Sequence, residues 1–85
     1  MLRGVSAVEK GIAEPMDLKS PAVGKVLRVN VEAGAQVARG EEVMVIESMK
    51  VEIPIKAIAA GRIRELRVKP GDQVQRNVVL AVIEN

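Results

Sequence analysis

Gly34-Ala35-Gln36-Val37 and Gly71-Asp72-Gln73-Val74 are two copies of one segment, and the spacing between them, about 37 residues, decides the fold. Outward from this pair the correspondence runs without a gap, Met16–Glu47 onto Ile53–Glu84. Lys19 meets Lys56, Gly24 meets Gly61, Val31 meets Val68, Arg39 meets Arg76, and Val45-Ile46-Glu47 meets Val82-Ile83-Glu84. Conservative pairs such as Val26/Ile63, Val29/Leu66 and Val43/Leu80 fill much of the rest. Two copies are too few for a solenoid that stacks repeats end to end. The expected solution is a closed body in which each half covers the apolar face of the other. The connection between the copies, Ile46-Glu47-Ser48-Met49-Lys50-Val51-Glu52-Ile53, then becomes an exposed tip with Lys50 at its centre.

Within each copy the pattern is that of short strands rich in Val and Ile, bounded by Gly and Pro. No stretch sustains a helical period. Val26, Val29 and Val31 precede a turn at Glu32-Ala33-Gly34-Ala35, and Ile63, Leu66 and Val68 precede Lys69-Pro70-Gly71-Asp72. The three-residue step between the first two apolar positions of each set breaks strict alternation, which predicts a bulge at matching places. Pro70-Gly71 suits the two central positions of a type II turn, and Gly34 is expected to do the same in the first copy. Gly24 and Gly61 are assigned, with Gly34 and Gly71, to structural turns between strands.

Val43-Met44-Val45-Ile46 and Val51-Glu52-Ile53-Pro54-Ile55 read as strands flanking Lys50, and Pro54, which cannot donate to a ladder, places its strand at an edge or itself at an unpaired position. Strands joined by so few residues make a hairpin. The predicted fold is therefore all-β: a flattened barrel or sandwich of two small antiparallel sheets with pseudo-two-fold symmetry and Lys50 on an exposed hairpin. Residues 1–15 lie outside the repeat and are read as a flexible leader, with residues 16–85 as the domain.

Composition narrows the chemistry. Apolar residues make up 48% of the chain, yet Phe, Tyr and Trp are absent, so the core must come from Val, Ile, Leu, Ala and Met. At 85 residues there is no room for a deep catalytic cleft. With no His and no Cys there is no zinc site of the usual nitrogen and sulfur kind, no thiol nucleophile and no Ser-His-Asp triad. Self-contained catalysis and a resident metal are not expected. The net charge is +2, and the densest basic stretch, Arg62, Arg64, Arg67 and Lys69, lacks the aromatic platforms of single-strand binders. It is read as a solvated strand face, with no nucleic-acid partner. The longest apolar run, Val78–Ile83, is far too short to cross a bilayer, so neither a membrane partner nor a secretory segment is expected, and the cytoplasm is the default location.

Hairpin tips normally carry Asn, Gly or Asp. Met49-Lys50 contains none of these, and a departure from local turn chemistry is where a functional constraint is expected. A lysine amine in water is ordinarily protonated near neutral pH and so is no nucleophile by itself; the expected role is that of an acceptor for an enzyme that supplies both a base and an activated acyl donor.

Glu47-Ser48-Met49-Lys50-Val51-Glu52, with Ser20-Pro21-Ala22-Val23-Gly24 upstream and Ala57-Ile58-Ala59-Ala60-Gly61 and Val68-Lys69-Pro70-Gly71-Asp72 downstream, resembles the biotinyl/lipoyl attachment domains, specifically the biotin carboxyl carrier type. Biotin acceptors of that family typically read Ala-Met-Lys-Met, whereas lipoyl acceptors carry Asp before the Lys and Ala after it. This chain has Ser48 for the Ala, keeps Met49 and Lys50, and has Val51 for the second Met. The resemblance implies biotin attached to Lys50 by a biotin protein ligase that reads Glu47, Ser48, Met49 and Val51. It further implies a non-catalytic carrier working between a biotin carboxylase and a carboxyltransferase. The alternatives are a lipoyl carrier of a 2-oxo acid dehydrogenase or glycine-cleavage complex, and an unmodified structural adaptor. No inserted thumb loop is expected between the strands.

Overall fold

A computed structural model describes residues 15–84; the leader expected over residues 1–15 lies outside the described residues except for Pro15. Eight strands follow one another: β1 (Met16–Lys19), β2 (Gly24–Val29), β3 (Gln36–Val37), β4 (Glu42–Ser48), β5 (Val51–Lys56), β6 (Gly61–Leu66), β7 (Gln73–Val74) and β8 (Val79–Glu84). No helix occurs among the described residues. The strands form two antiparallel four-stranded sheets, ordered β1-β8-β6-β3 and β5-β4-β2-β7.

The repeat shift carries β1 onto β5, β2 onto β6, β3 onto β7 and β4 onto β8, and so carries one sheet onto the other. The halves are more entwined than the expectation of one half covering the other. Each sheet takes two strands from each copy, because β1 and β3 leave their own copy to pair with β8 and β6. Hydrogen bonds of the connecting turns repeat the exchange: Gly34 N donates to Ile63 O at 2.7 Å, and Gly71 N to Val26 O at 2.8 Å.

β4 and β8 lie inside their sheets and are buried on both faces, which explains their unbroken apolar runs, Val43–Ile46 and Leu80–Ile83. Between the sheets pack Val26, Met44, Ile46, Ile63, Leu80 and Ile83, all at most 1% exposed. Each large aliphatic side chain buried in this way contributes about 1.5–3 kcal/mol, which lets the domain dispense with aromatic rings. On the outer face, Arg28 of β2 comes within 3.8 Å of Glu52 on β5, so its side chain crosses β4 over Val45, which is 2% exposed. The register shifts between Val26 and Arg28 in β2 and between Ile63 and Glu65 in β6, the matching places where alternation fails in the sequence. β5, which carries Pro54, is an edge strand.

Gly34 and Gly71 have φ of +92° and +95°. Each occupies the third position of a turn closed by a backbone bond, Ala35 N to Glu32 O at 3.0 Å and Asp72 N to Lys69 O at 3.1 Å. Asp72 also accepts a bond from Lys69 N at 2.9 Å. A side chain at Gly71 would meet open space, so its cost is purely conformational. Gly71→Val is expected to lower stability by about 1–3 kcal/mol, and Gly71→Asn by clearly less, because Asn tolerates positive φ. Denaturant midpoints of the two variants against the parent check this, and equal midpoints for Val and parent would contradict the turn.

Gly24 and Gly61 are corrected from turn residues to strand residues: they open β2 and β6. What excludes a side chain there is proximity. A Cβ on Gly24 would fall against the Glu47 carbonyl oxygen, and one on Gly61 would lie 2.5 Å from that of Glu84.

Candidate functional site

Ser48 pairs with Val51, which leaves Met49 and Lys50 as the whole of a two-residue hairpin loop between β4 and β5. Their φ values are +53° and +68°. Two successive positive φ angles define a type I′ turn, whose twist matches that of the strands it joins. Left-handed backbone costs an ordinary L-residue about 1–2 kcal/mol. Met and Lys are thus held where Asn-Gly would sit without strain, and the cross-strand pairs below them, Glu47↔Glu52, Ile46↔Ile53 and Val45↔Pro54, keep the turn closed. Met49 is 93% exposed, Lys50 is exposed, and Val51 is 60% exposed. None of the ion pairs among the described residues includes Lys50, so its amine projects unpaired into solvent.

Glu47 and Glu52 stand directly opposite each other just below the tip, an unfavourable like-charge pair. Cations on the same sheet offset it: Lys25 is opposite Glu47 on β2, and Arg28 lies 3.8 Å from Glu52. Glu47 and Ser48 are half-buried; Glu52 is exposed. The arrangement thus gathers Glu47, Ser48, Met49, Lys50 and Val51 at one end of the sandwich. Gly24 lies beside Glu47 and Ser48 at that end, whereas Gly61 lies beside Glu84 at the other, and Gly34 and Gly71 brace the interior turns.

No group of His, Cys, Asp and Glu suited to a metal ion occurs among the described residues. An open hollow at the end away from Lys50 is lined by Gln36, Ala60, Gly61, Arg62 and Glu84, and its two charged groups are bonded to each other at 3.3 Å. It holds no nucleophile. The basic residues on β6 and just after it are likewise paired, Arg62 and Arg64 with Glu84 and Arg67 with Glu65 at 3.2 Å.

Two features escaped the sequence reading. Gly40 and Asn77, one repeat apart, both have positive φ, +85° and +71°, and donate matching bonds, Gly40 N to Ala57 O and Asn77 N to Ser20 O, each at 2.8 Å. Their alignment as two residue types that tolerate this backbone was the available signal. The second is the exposure of Val23, 56%, beside the tip: the sequence offers Val23 only as one member of the Ser20–Gly24 motif and carries no mark of its position.

Among the described residues, then, a small two-sheet sandwich sets an exposed, unpaired lysine in a two-residue hairpin turn at one end. The Biotin_lipoyl family model, described as "Biotin-requiring enzyme", matches residues 16–83, and the chain belongs to this family of biotin/lipoyl attachment domains. Among curated relatives, the 2-oxoglutarate carboxylase large subunit of Hydrogenobacter thermophilus is 43% identical over 56 residues, covering 62% of this chain and 9% of the relative. The Biotinylated protein TB7.3 of Mycobacterium tuberculosis is 44% identical over 41 residues, 48% of this chain and 58% of the relative. The chain thus spans just over half of the one relative and about a tenth of the other. Among solved structures, the lipoyl domain of the 2-oxoglutarate dehydrogenase complex from Azotobacter vinelandii superimposes with a TM-score of 0.72 at 30% identity, over 82% of this chain and 96% of that one. The fold, the family and a covalent prosthetic group of biotin or lipoyl type follow.

Proposed function

We propose that Lys50 is the attachment point of biotin and that the domain carries a carboxyl group between the biotin carboxylase and the carboxyltransferase of a biotin-dependent carboxylase. The observation that carries this reading is the exposed Met49-Lys50 pair held at positive φ in a two-residue turn. A neutral apolar neighbour beside the acceptor favours biotin over lipoate, and relatives named as a biotinylated protein and as a carboxylase subunit agree with it. The lipoyl reading keeps one support, the match to a lipoyl domain over nearly its whole length.

In the attachment step the Lys50 amine gives up a proton to a base of the ligase, and its Nζ attacks the carbonyl carbon of biotinyl-AMP. The C–N amide bond forms, the C–O bond to phosphate breaks and AMP leaves with the electron pair. Bound biotin supplies a ring nitrogen able to take and release a carboxyl group. The chain's own residues position it: the turn is too short to flex, and the lysine stem provides the reach. Tethering raises the local concentration at both catalytic sites and replaces a bimolecular encounter.

Intact mass after incubation with purified biotin protein ligase, ATP and biotin tests the reading, with lipoate ligase and lipoate in parallel. One biotinyl group and no lipoyl group is expected; the reverse result assigns the domain to the lipoyl carriers, and no adduct from either assigns it to unmodified adaptors. Met49→Asp probes the choice at one residue, since it creates the Asp-Lys pair of lipoyl acceptors and brings a charge that must be desolvated against the ligase. Biotinylation is expected to fall about tenfold for each 1.4 kcal/mol of lost transition-state binding. A parental rate for this variant would show that Met49 is not read.

A further inference from the structure

We infer that Val23 is a recognition residue for the attachment step, forming with Met49 and Val51 an apolar rim that the biotin protein ligase contacts while Lys50 is acylated. This rests on the biotin reading above and adds a residue outside the acceptor hairpin. The geometry comes from the register of β2 on β4. Val26 pairs with Ile46 and Lys25 with Glu47, so the same alignment sets Gly24 beside Ser48 and Val23 level with Met49. The missing Cβ of Gly24 agrees: its position lies 3.5 Å from the Ser48 Cα. In the sheet order β5-β4-β2, Val51 flanks the end of β4 on one side and Val23 on the other, with Met49 at the apex.

Among the described residues four large hydrophobic side chains are exposed, Val23 at 56%, Met49 at 93%, Val51 at 60% and Ile58 at 52%, and the first three surround Lys50. Ile58 lies on the connection from β5 to β6, which leads away to the other end. The two-fold repeat supplies an internal comparison. The counterpart of Val23 is Ala60, beside the hollow at the end without an acceptor, where the side chain is small. Close approach of Gly24 to the backbone of β4 sets the end of the 20–23 loop against the hairpin, so Val23 is presented beside the tip. Any enzyme that brings Lys50 Nζ to an acyl carbon has to cover this end of the sandwich, and an apolar contact surface on the ligase is the complement of three aliphatic groups.

The test is steady-state biotinylation by purified ligase of the parent and of Val23→Asp, Val23→Ser, Val23→Ile and Ala60→Asp, with unfolding midpoints measured alongside. Loss of a binding contact raises KM for the protein substrate and leaves kcat nearly unchanged. About a tenfold rise in KM is expected for Val23→Asp and a smaller rise for Val23→Ser. Parental values are expected for Val23→Ile and Ala60→Asp, with midpoints of all four close to the parent. Acylation of Lys50 by free biotinyl-AMP without ligase should be the same in parent and Val23→Asp, which separates docking from a disturbed acceptor. A labelled parent with Val23→Asp and Val23→Ser at parental KM overturns the inference alone, whereas a parent that takes no biotin overturns the biotin reading and the inference with it. Normal ligation of Val23→Asp followed by slower carboxylation would give the rim to the carboxylase and also overturn the inference.

Discussion

Lys50→Arg is expected to abolish covalent labelling completely while leaving the fold intact and its stability within about 0.5 kcal/mol of the parent. Arginine keeps the positive charge and the long stem, but its guanidinium stays protonated and offers no free amine to an activated acyl group. The backbone asks nothing new of it, since Lys50 already occupies φ of +68° with an ordinary side chain. No other lysine among the described residues stands in a two-residue turn: Lys19, Lys25 and Lys56 lie within strands, and Lys69 is 3.5 Å from Asp72. Intact mass and a streptavidin blot of the variant after ligase treatment decide the matter, and residual label at Lys19 or Lys56 would show that the tip is not the sole acceptor.

Gly24→Val should be the most damaging single change to the fold. The new Cβ meets the carbonyl oxygen of Glu47 and stands 3.1 Å from its carbonyl carbon, and both atoms belong to the backbone of an interior strand. No rotamer can relieve this contact, so β2 must pull away from β4. Val26, 1% exposed, and its partner Ile46, fully buried, then lose their packing. The cost is expected to reach about 3 kcal/mol or more, the upper end for overpacking, against a total stability of about 5–10 kcal/mol for so short a chain. Gly61→Val should behave alike, because its Cβ lies against the Glu84 carbonyl and 3.1 Å from Ile83 Cγ2. Equilibrium unfolding in urea measures both, and a parental midpoint for either would show that the sheet has slack at these points.

Much of this architecture is legible in the residues because the repeat transmits it twice. The bulges announce themselves where Val26 and Val29, and again Ile63 and Leu66, step by three, and Pro54, which suits an edge or an unpaired position, lies on an edge strand. Lys50 declares itself by lying between the copies in a turn with the wrong residues. The exchange of β1 and β3 into the opposite sheet is not legible, since an alternating pattern states which face is apolar and not which strand lies alongside. Gly24 shows the same limit. A glycine required by a neighbour's carbonyl and a glycine required by its own φ look identical in a sequence, and only the register of β2 on β4 tells them apart. The place of Val23 beside the tip is not legible for a related reason, because its exposure depends on where β2 begins relative to the tip.

Met16 pairs with Ile83 just as Ile53 pairs with Ile46, so the outer ends of β1 and β8 are related by the two-fold to the strands that flank Lys50. Together they are a hairpin that lacks a turn. A short Asn-Gly linker put in place of residues 1–15 and 85 to join these ends would turn the ribbon into a ring, and cutting the ring elsewhere, for instance in the 30–35 connection, would give a permuted chain with the same two sheets. Such a ring would carry two apices facing opposite ways. Writing Ser-Met-Lys-Val into the new one would give a particle with two acceptors, each addressable by its own enzyme at the same time.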